Sequence, residues 1–246
     1  MSTEVEKSFG CPRSAAIFGA SGGIGAALVS ALAERGCERI YAGSRRGGAI
    51  DGGIPFAFNL TDEGSIESAA NMMRNNPPEL VFVASGVLTL EDGAGPERTF
   101  KRIDPDAMTQ MLSLNTIGPA VIAKHLLPLF PRDRRAVFAA LSARVGSISD
   151  NGLGGWHSYR ASKAALNMML KNFAIELGRT HPQAVVLGLH PGTVDTALSE
   201  PFQKGLPEGQ LLTPAQSAEA LLDVIAGATP DVSGRVFDWK GAEVPA

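Results

Sequence analysis

A chain of 246 residues, 44% hydrophobic and 19% charged, carries enough apolar content for the core of one sizeable α/β unit, so a single domain over 1–246 is expected, with residues 1–13 as a flexible lead. A formal net charge of −3 and a pI near 5.8 give no basic footprint for nucleic acid or an acidic membrane, and neither partner is expected. The two cysteines, Cys11 and Cys37, fall in no metal or redox spacing, so no metal site is expected.

Residues 1–13 are polar and acidic, without the apolar stretch of a signal peptide, and no apolar run approaches the ~18 residues that span a bilayer. A cytoplasmic protein is the expectation.

The first buried strand is predicted over 15–18 and runs into Gly19-Ala20-Ser21-Gly22-Gly23-Ile24-Gly25, which opens an amphipathic helix over 23–35. Glycines between a first strand and a first helix let the backbone turn tightly and approach a pyrophosphate, and the helix offers its free N–H groups to the phosphates. The second strand, 39–43, ends in Gly43-Ser44-Arg45-Arg46 rather than in the acidic residue that grips a ribose 2′-hydroxyl. Arg45 suits a 2′-phosphate and Ser44 adds a neutral bond, so NADP(H) is the expected coenzyme, with NAD(H) the alternative.

Further strands are predicted over 55–58, 80–84, 136–142, 184–190 and 235–238, with helices over 62–75, 105–130, 158–180 and 213–226. Strand alternating with helix predicts a doubly wound, Rossmann-type sheet of about seven parallel strands, with helices on both faces. Asn59 and Leu60, after the third strand, and Ala84, Ser85 and Gly86, after the fourth, are placed to line the coenzyme crevice. Gly118-Pro119 should kink or break the long helix, because proline lacks a donor and clashes with the preceding turn. Two loops rich in glycine and proline, 89–98 and 192–209, emerge at the carboxyl ends of strands and are substrate-lid candidates.

Tyr159-Arg160-Ala161-Ser162-Lys163 sets a phenol and an ammonium four residues apart near a helix start, on one face. A free tyrosine has a pKa near ~10, and an adjacent cation favours the phenolate. The scattered histidines His125, His181 and His190 have no ligand spacing, and Ser21 lacks a nucleophile-elbow frame.

Together the glycine turn, Asn115 in Leu114-Asn115-Thr116-Ile117-Gly118, a serine ending the fifth strand, Tyr159 with Lys163, and Pro191-Gly192-Thr193-Val194 resemble the short-chain dehydrogenase/reductase family, from Ser14 to about Trp239. Ser142-Ala143-Arg144-Val145-Gly146-Ser147-Ile148 and Gly154-Gly155-Trp156 look like its subgroup of C-factor and sniffer-type carbonyl reductases. The resemblance implies that Tyr159 is general acid in reduction or base in oxidation, while Lys163 holds the nicotinamide ribose and lowers the tyrosine pKa. It implies that Ser142 polarises the substrate oxygen and that Asn115 positions a water linking Lys163 to solvent. Pro191, Gly192, Thr193 and Val194 would meet the carboxamide and diphosphate. A small carbonyl or alcohol substrate, reduction as the working direction, and a homodimer or homotetramer follow from the same likeness.

The pattern departs from the family at three places: Phe18 stands for the threonine before the turn, Ala84-Ser85-Gly86 for Asn-Ala-Gly, and the serine falls one place off. Anchored on Gly146, the serine position is taken by Ala143, leaving Ser142 or Ser147; the strand's carboxyl end favours Ser142. The competing class is a non-catalytic, nucleotide-binding sensor of the C-factor type.

Overall fold

Seven strands join in one all-parallel sheet, and the computed structural model describes residues 10–203 and 210–246. Residues 1–9 of the expected lead and 204–209 of the second loop lie outside the described residues.

The order of chain elements is β1 (Ser14–Phe18), α1 (Gly23–Glu34), β2 (Arg39–Ser44), β3 (Ile54–Ala57), α2 (Glu63–Met73), β4 (Leu80–Val83), α3 (Pro105–Leu112) and α4 (Gly118–Leu126). There follow β5 (Ala136–Leu141), α5 (His157–Gly178), β6 (Ala184–His190), β7 (Thr193–Val194), β8 (Leu211–Leu212), α6 (Pro214–Gly227) and β9 (Arg235–Asp238). The main sheet runs β3-β2-β1-β4-β5-β6-β9, so the order in which strands are added switches sides between β1 and β4, and a crevice opens beyond their carboxyl ends.

Burial on both faces explains why these strands read as continuous apolar runs. Ala15 and Ile17 of β1 with Val137 and Ala139 of β5 pack under α1 and α6, whereas Ala16, Phe18, Phe138 and Ala140 pack under α2, α4 and α5. The helix expected over 105–130 is interrupted, as Gly118-Pro119 requires. The break takes the form of a widened π-helical turn, Ser113–Ile117, ahead of Pro119, which needs no donor in the first turn of α4.

Phe18 is fully buried, edge-on to Phe56 and Phe58 at ring separations of 5.1 and 5.0 Å. Gly43 makes room for this cluster, since a Cβ there would fall 2.3 Å from the Phe56 ring. The short ribbon of β7 and β8 was not legible in the sequence, because two residues carry no periodicity. Among the described residues no helix is long and apolar enough to cross a membrane.

Candidate active site

The crevice beyond β1, β2 and β4 is a cavity of about 800 Å³. Gly19, Ser21, Gly22, Ser44, Arg45, Asn59, Leu60, Ala84, Ser85 and Gly86 line it, so the residues expected at the coenzyme end converge there from four separate turns. Gly19 is left-handed at φ 104, and a Cβ on it would stand 2.6 Å from Ser85 Oγ. Gly25 is required by close approach: its Cβ would lie 2.1 Å from Gly19 O. The α1 N-terminus follows Gly22, whose lack of a side chain leaves the first N–H groups of the helix uncapped. Ile24 packs against the core beneath.

Pro191 to Val194 reach the same end of the sheet. Pro191 O accepts from Ser217 Oγ at 2.9 Å, Gly192 is left-handed at φ 79, and Thr193 and Val194 pair with Leu211 and Leu212. A Cβ on Gly23 would meet Thr196 at 2.7 Å, so this segment lies against the start of α1.

Arg45 is largely exposed and pairs with Glu91 at 2.6 Å across the cavity they both line. The Ser44 hydroxyl accepts from Gly47 N at 3.1 Å, which leaves its proton to be donated elsewhere. These groups fit a dinucleotide with a 2′-phosphate: a glycine cradle without side chains, unspent helix N–H groups, and a cation at the rim.

At the inner end, Lys163 Nζ donates to Leu141 O at 2.9 Å and lies 5.8 Å from the Tyr159 ring centre. A Cβ on Gly86 would stand 3.4 Å from Lys163 Nζ and 3.1 Å from Asn115 Oδ1, so this lysine borders the crevice at that glycine. Asn115, fully buried in the π-helical turn, accepts from Val87 N at 2.8 Å and donates to Val87 O at 2.9 Å and to Ser162 Oγ at 3.1 Å. It thereby fastens the chain after β4 to α5.

Burial pushes the Tyr159 hydroxyl up to about 12 and brings the Lys163 amine down to about 8. The lowering of the tyrosine by the lysine that the sequence led us to expect is not what the free protein has: burial alone sets the shift, and it keeps the Tyr159 hydroxyl protonated. Around it stand Leu88, Leu90, Met111 and Ala143, an apolar surround.

Both candidate serines already hold hydrogen bonds. Ser142 Oγ gives its proton to Asn167 Oδ1 at 2.6 Å, one helical turn beyond Lys163, and Ser147 Oγ accepts from Asp150 N at 3.1 Å. Ala143 is the residue of that turn that shares the apolar cluster with Tyr159. Sequence reasoning missed Glu97, whose carboxylate accepts from Ser158 N at 3.1 Å at the head of α5; a lone glutamate in a loop carries no pattern that would reveal this.

Comparison with known proteins bears on the family and the fold. The family model described as short chain dehydrogenase matches residues 13–206. The 1-hydroxy-2-glutathionyl-2-methyl-3-butene dehydrogenase of Rhodococcus sp. is 33% identical over 225 residues, covering 89% of this chain and 93% of its own length. The C-signal protein of Myxococcus xanthus is 35% identical over 144 residues, 58% of this chain and 81% of its own. In fold, the NADPH-bound carbonyl reductase from chicken fatty liver superposes with a TM-score of 0.80 at 23% identity, covering 95% of this chain and 94% of that one. With the family model matching most of the chain, the protein belongs to the short-chain dehydrogenase/reductase family of oxidoreductases.

Proposed function

We propose that this chain is an NADP(H)-dependent oxidoreductase that moves hydride between the nicotinamide and a small carbonyl or alcohol, with Tyr159 as proton donor in reduction. The observation that carries this is that Lys163 Nζ, which borders the crevice at Gly86, lies 5.8 Å from the Tyr159 ring centre. The Arg45 rim supports the 2′-phosphate preference, and the chicken carbonyl reductase, a structural relative, was solved with NADPH bound. Gly19, Ser21, Gly22, Gly23 and Gly25 would hold the diphosphate, Asn59 and Leu60 the adenine side, and Pro191 to Val194 the nicotinamide end.

When bound, the coenzyme supplies the hydride. Tyr159, neutral because it is buried, gives the hydroxyl proton to the oxygen that becomes alkoxide. Lys163, kept in place by Leu141 O, would hold the nicotinamide ribose and keeps a positive charge beside the phenolate as it forms. Asn115 keeps α5 at its distance from the chain after β4 and is the proposed anchor of the water through which Lys163 is reprotonated. The neutral acid form favours reduction over oxidation, and the apolar surround favours a carbonyl with apolar substituents.

Ser142 enters as a hydroxyl already committed to Asn167, so polarisation of the substrate oxygen by it requires that bond to switch. Ser142→Ala separates the alternatives: a loss of kcat near that of Tyr159→Phe marks a direct contact, whereas a small loss marks a support for α5.

The decisive experiment follows NADPH absorbance with a panel of aldehydes and ketones for the wild type and Tyr159→Phe. Turnover that depends on the tyrosine supports the enzyme. Tight NADPH binding with no turnover in either protein would overturn it in favour of a nucleotide-binding sensor, the reading favoured by the likeness to C-signal. A homodimer or homotetramer in the cytoplasm is proposed with it, since Ile117 of the π-helical turn and Met168 and Ile175 of α5 leave an apolar surface exposed.

A further inference from the structure

The helix that carries Tyr159 and Lys163 does not cap itself. Its N-cap residue is Trp156, which offers no side-chain acceptor to the first N–H groups and adopts a left-handed conformation at φ 53, ψ 39. Trp156 is the only non-glycine among the described residues with positive φ, and it follows Gly154 and Gly155, themselves left-handed at φ 63 and 67. A bulky residue in this region costs of order 1 kcal/mol or more and persists only where surrounding contacts enforce it.

Three hydrogen bonds at this helix head come from one residue of the chain between β4 and α3. Glu97 O accepts from Trp156 N at 2.5 Å, Glu97 Oε2 accepts from Ser158 N at 3.1 Å, and Glu97 Oε1 accepts from Ser158 Oγ. The carboxylate also stands at the positive end of a 22-residue helix. Burial works to raise the Glu97 carboxyl, but its bonds from Ser158 and from its own backbone N–H, with the charge of His157, together hold it below the usual range. Ser158 is followed directly by Tyr159, and the Trp156 ring meets the Tyr159 ring edge-on at 6.2 Å and 71°.

We propose that Glu97 is a positioning residue for catalysis: its carboxylate caps α5 from a separate loop through Ser158, beside the main-chain bond to Trp156, and so sets where the Tyr159 phenol stands in the crevice. This rests on the reading of Tyr159 as proton donor and extends it to the loop expected to face the substrate. Because residues 89–98 end at this contact, a displacement of that loop passes to the head of α5, one residue from the acid. Glu97 lines no part of the coenzyme cavity, so its effect falls on proton delivery and leaves nucleotide binding alone.

The test uses the full-length protein with Glu97→Ala and Glu97→Gln. In Glu97→Ala, kcat for NADPH-dependent carbonyl reduction falls about tenfold, the size of effect a lost helix cap carries, with NADPH Kd from fluorescence titration within about twofold of wild type. Glu97→Gln, which keeps an acceptor for Ser158 N, recovers most of that loss; a residue needed only for folding would show no such split between kcat and Kd. The second readout needs no turnover: in a Trp239→Phe background, Trp156 is the sole tryptophan, and its emission shifts in Glu97→Ala and returns toward wild type in Glu97→Gln. Wild-type kcat together with unchanged Trp156 emission in Glu97→Ala overturns the proposal. Should Glu97→Ala not fold, Glu97→Gln decides alone: kcat and emission between wild type and Tyr159→Phe support positioning, and a loss of NADPH binding in step with kcat overturns it. Absent tyrosine-dependent turnover in the wild type defeats the functional reading, while the emission arm still reports on the cap.

Discussion

The coenzyme end and the catalytic end of one crevice are built by opposite means. Around α1 the geometry is local: Gly22 N donates to Gly19 O at 3.0 Å, and Gly25 presses on that same Gly19 carbonyl, all within one turn of chain. Around α5 the bonds come from afar, with Lys163 held by Leu141, Ser162 by Asn115 and Ser158 by Glu97, partners 22, 47 and 61 residues distant. A local cradle is defined by what it excludes, namely side chains. An assembled site is defined by what must arrive, and it is exposed to changes in every segment that contributes.

The sharpest way to break the comparison is at Tyr159, the proposed acid. Tyr159→Phe is expected to lower kcat by about 10²–10⁴-fold while NADPH Kd stays near wild type, because general acid catalysis is lost and the cradle is untouched. Equal losses in both quantities would mean the two ends are not separable.

The pH profile comes next. Lys163, brought by burial to about 8, is protonated below that pH and loses its charge as pH rises through it, while Tyr159 at about 12 keeps its proton. The reduction rate should therefore decline on the alkaline side of about pH 8. Lys163→Arg, which stays charged, should remove that limb even where it lowers the plateau. A limb that persists in the arginine variant would assign it to another group.

On the local side, Gly25→Ala forces a methyl onto a backbone carbonyl 2.1 Å away and should cost about 1–3 kcal/mol of stability, read as a lower Tm. An unchanged Tm would show that the turn yields.

The smallest effects belong to the rim. Arg45→Ala should weaken NADPH binding about tenfold with NADH unaffected, through loss of charge-assisted bonds to the 2′-phosphate. Glu91→Gln should tighten NADPH by no more than about fivefold, because an exposed ion pair such as Arg45–Glu91 contributes only ~0.2–1 kcal/mol. Identical responses to NADPH and NADH would remove Arg45 from coenzyme choice.

Most of the fold and the coenzyme end were legible before any coordinates. The seven buried runs became β1 to β6 and β9 with ends shifted by a residue or so, and ten of the crevice residues were marked by glycine spacing, Arg45 and the strand ends. These features follow from short-range stereochemistry: where a Cβ cannot fit, where a proline removes a donor, where apolar residues repeat at the period of a helix or fill a strand buried on both faces.

What tertiary structure alone decided is where side chains meet. Ser142 and Ala143 are neighbours in sequence, yet one bonds Asn167 and the other faces the Tyr159 cluster, because successive residues leaving β5 point to opposite sides. The π-helical turn holding Asn115 and the Glu97 cap on α5 likewise depend on contacts between segments that only the packed sheet brings together. Local chain chemistry sets each element and turn, but a hydrogen bond across 61 residues exists only after the layers have closed.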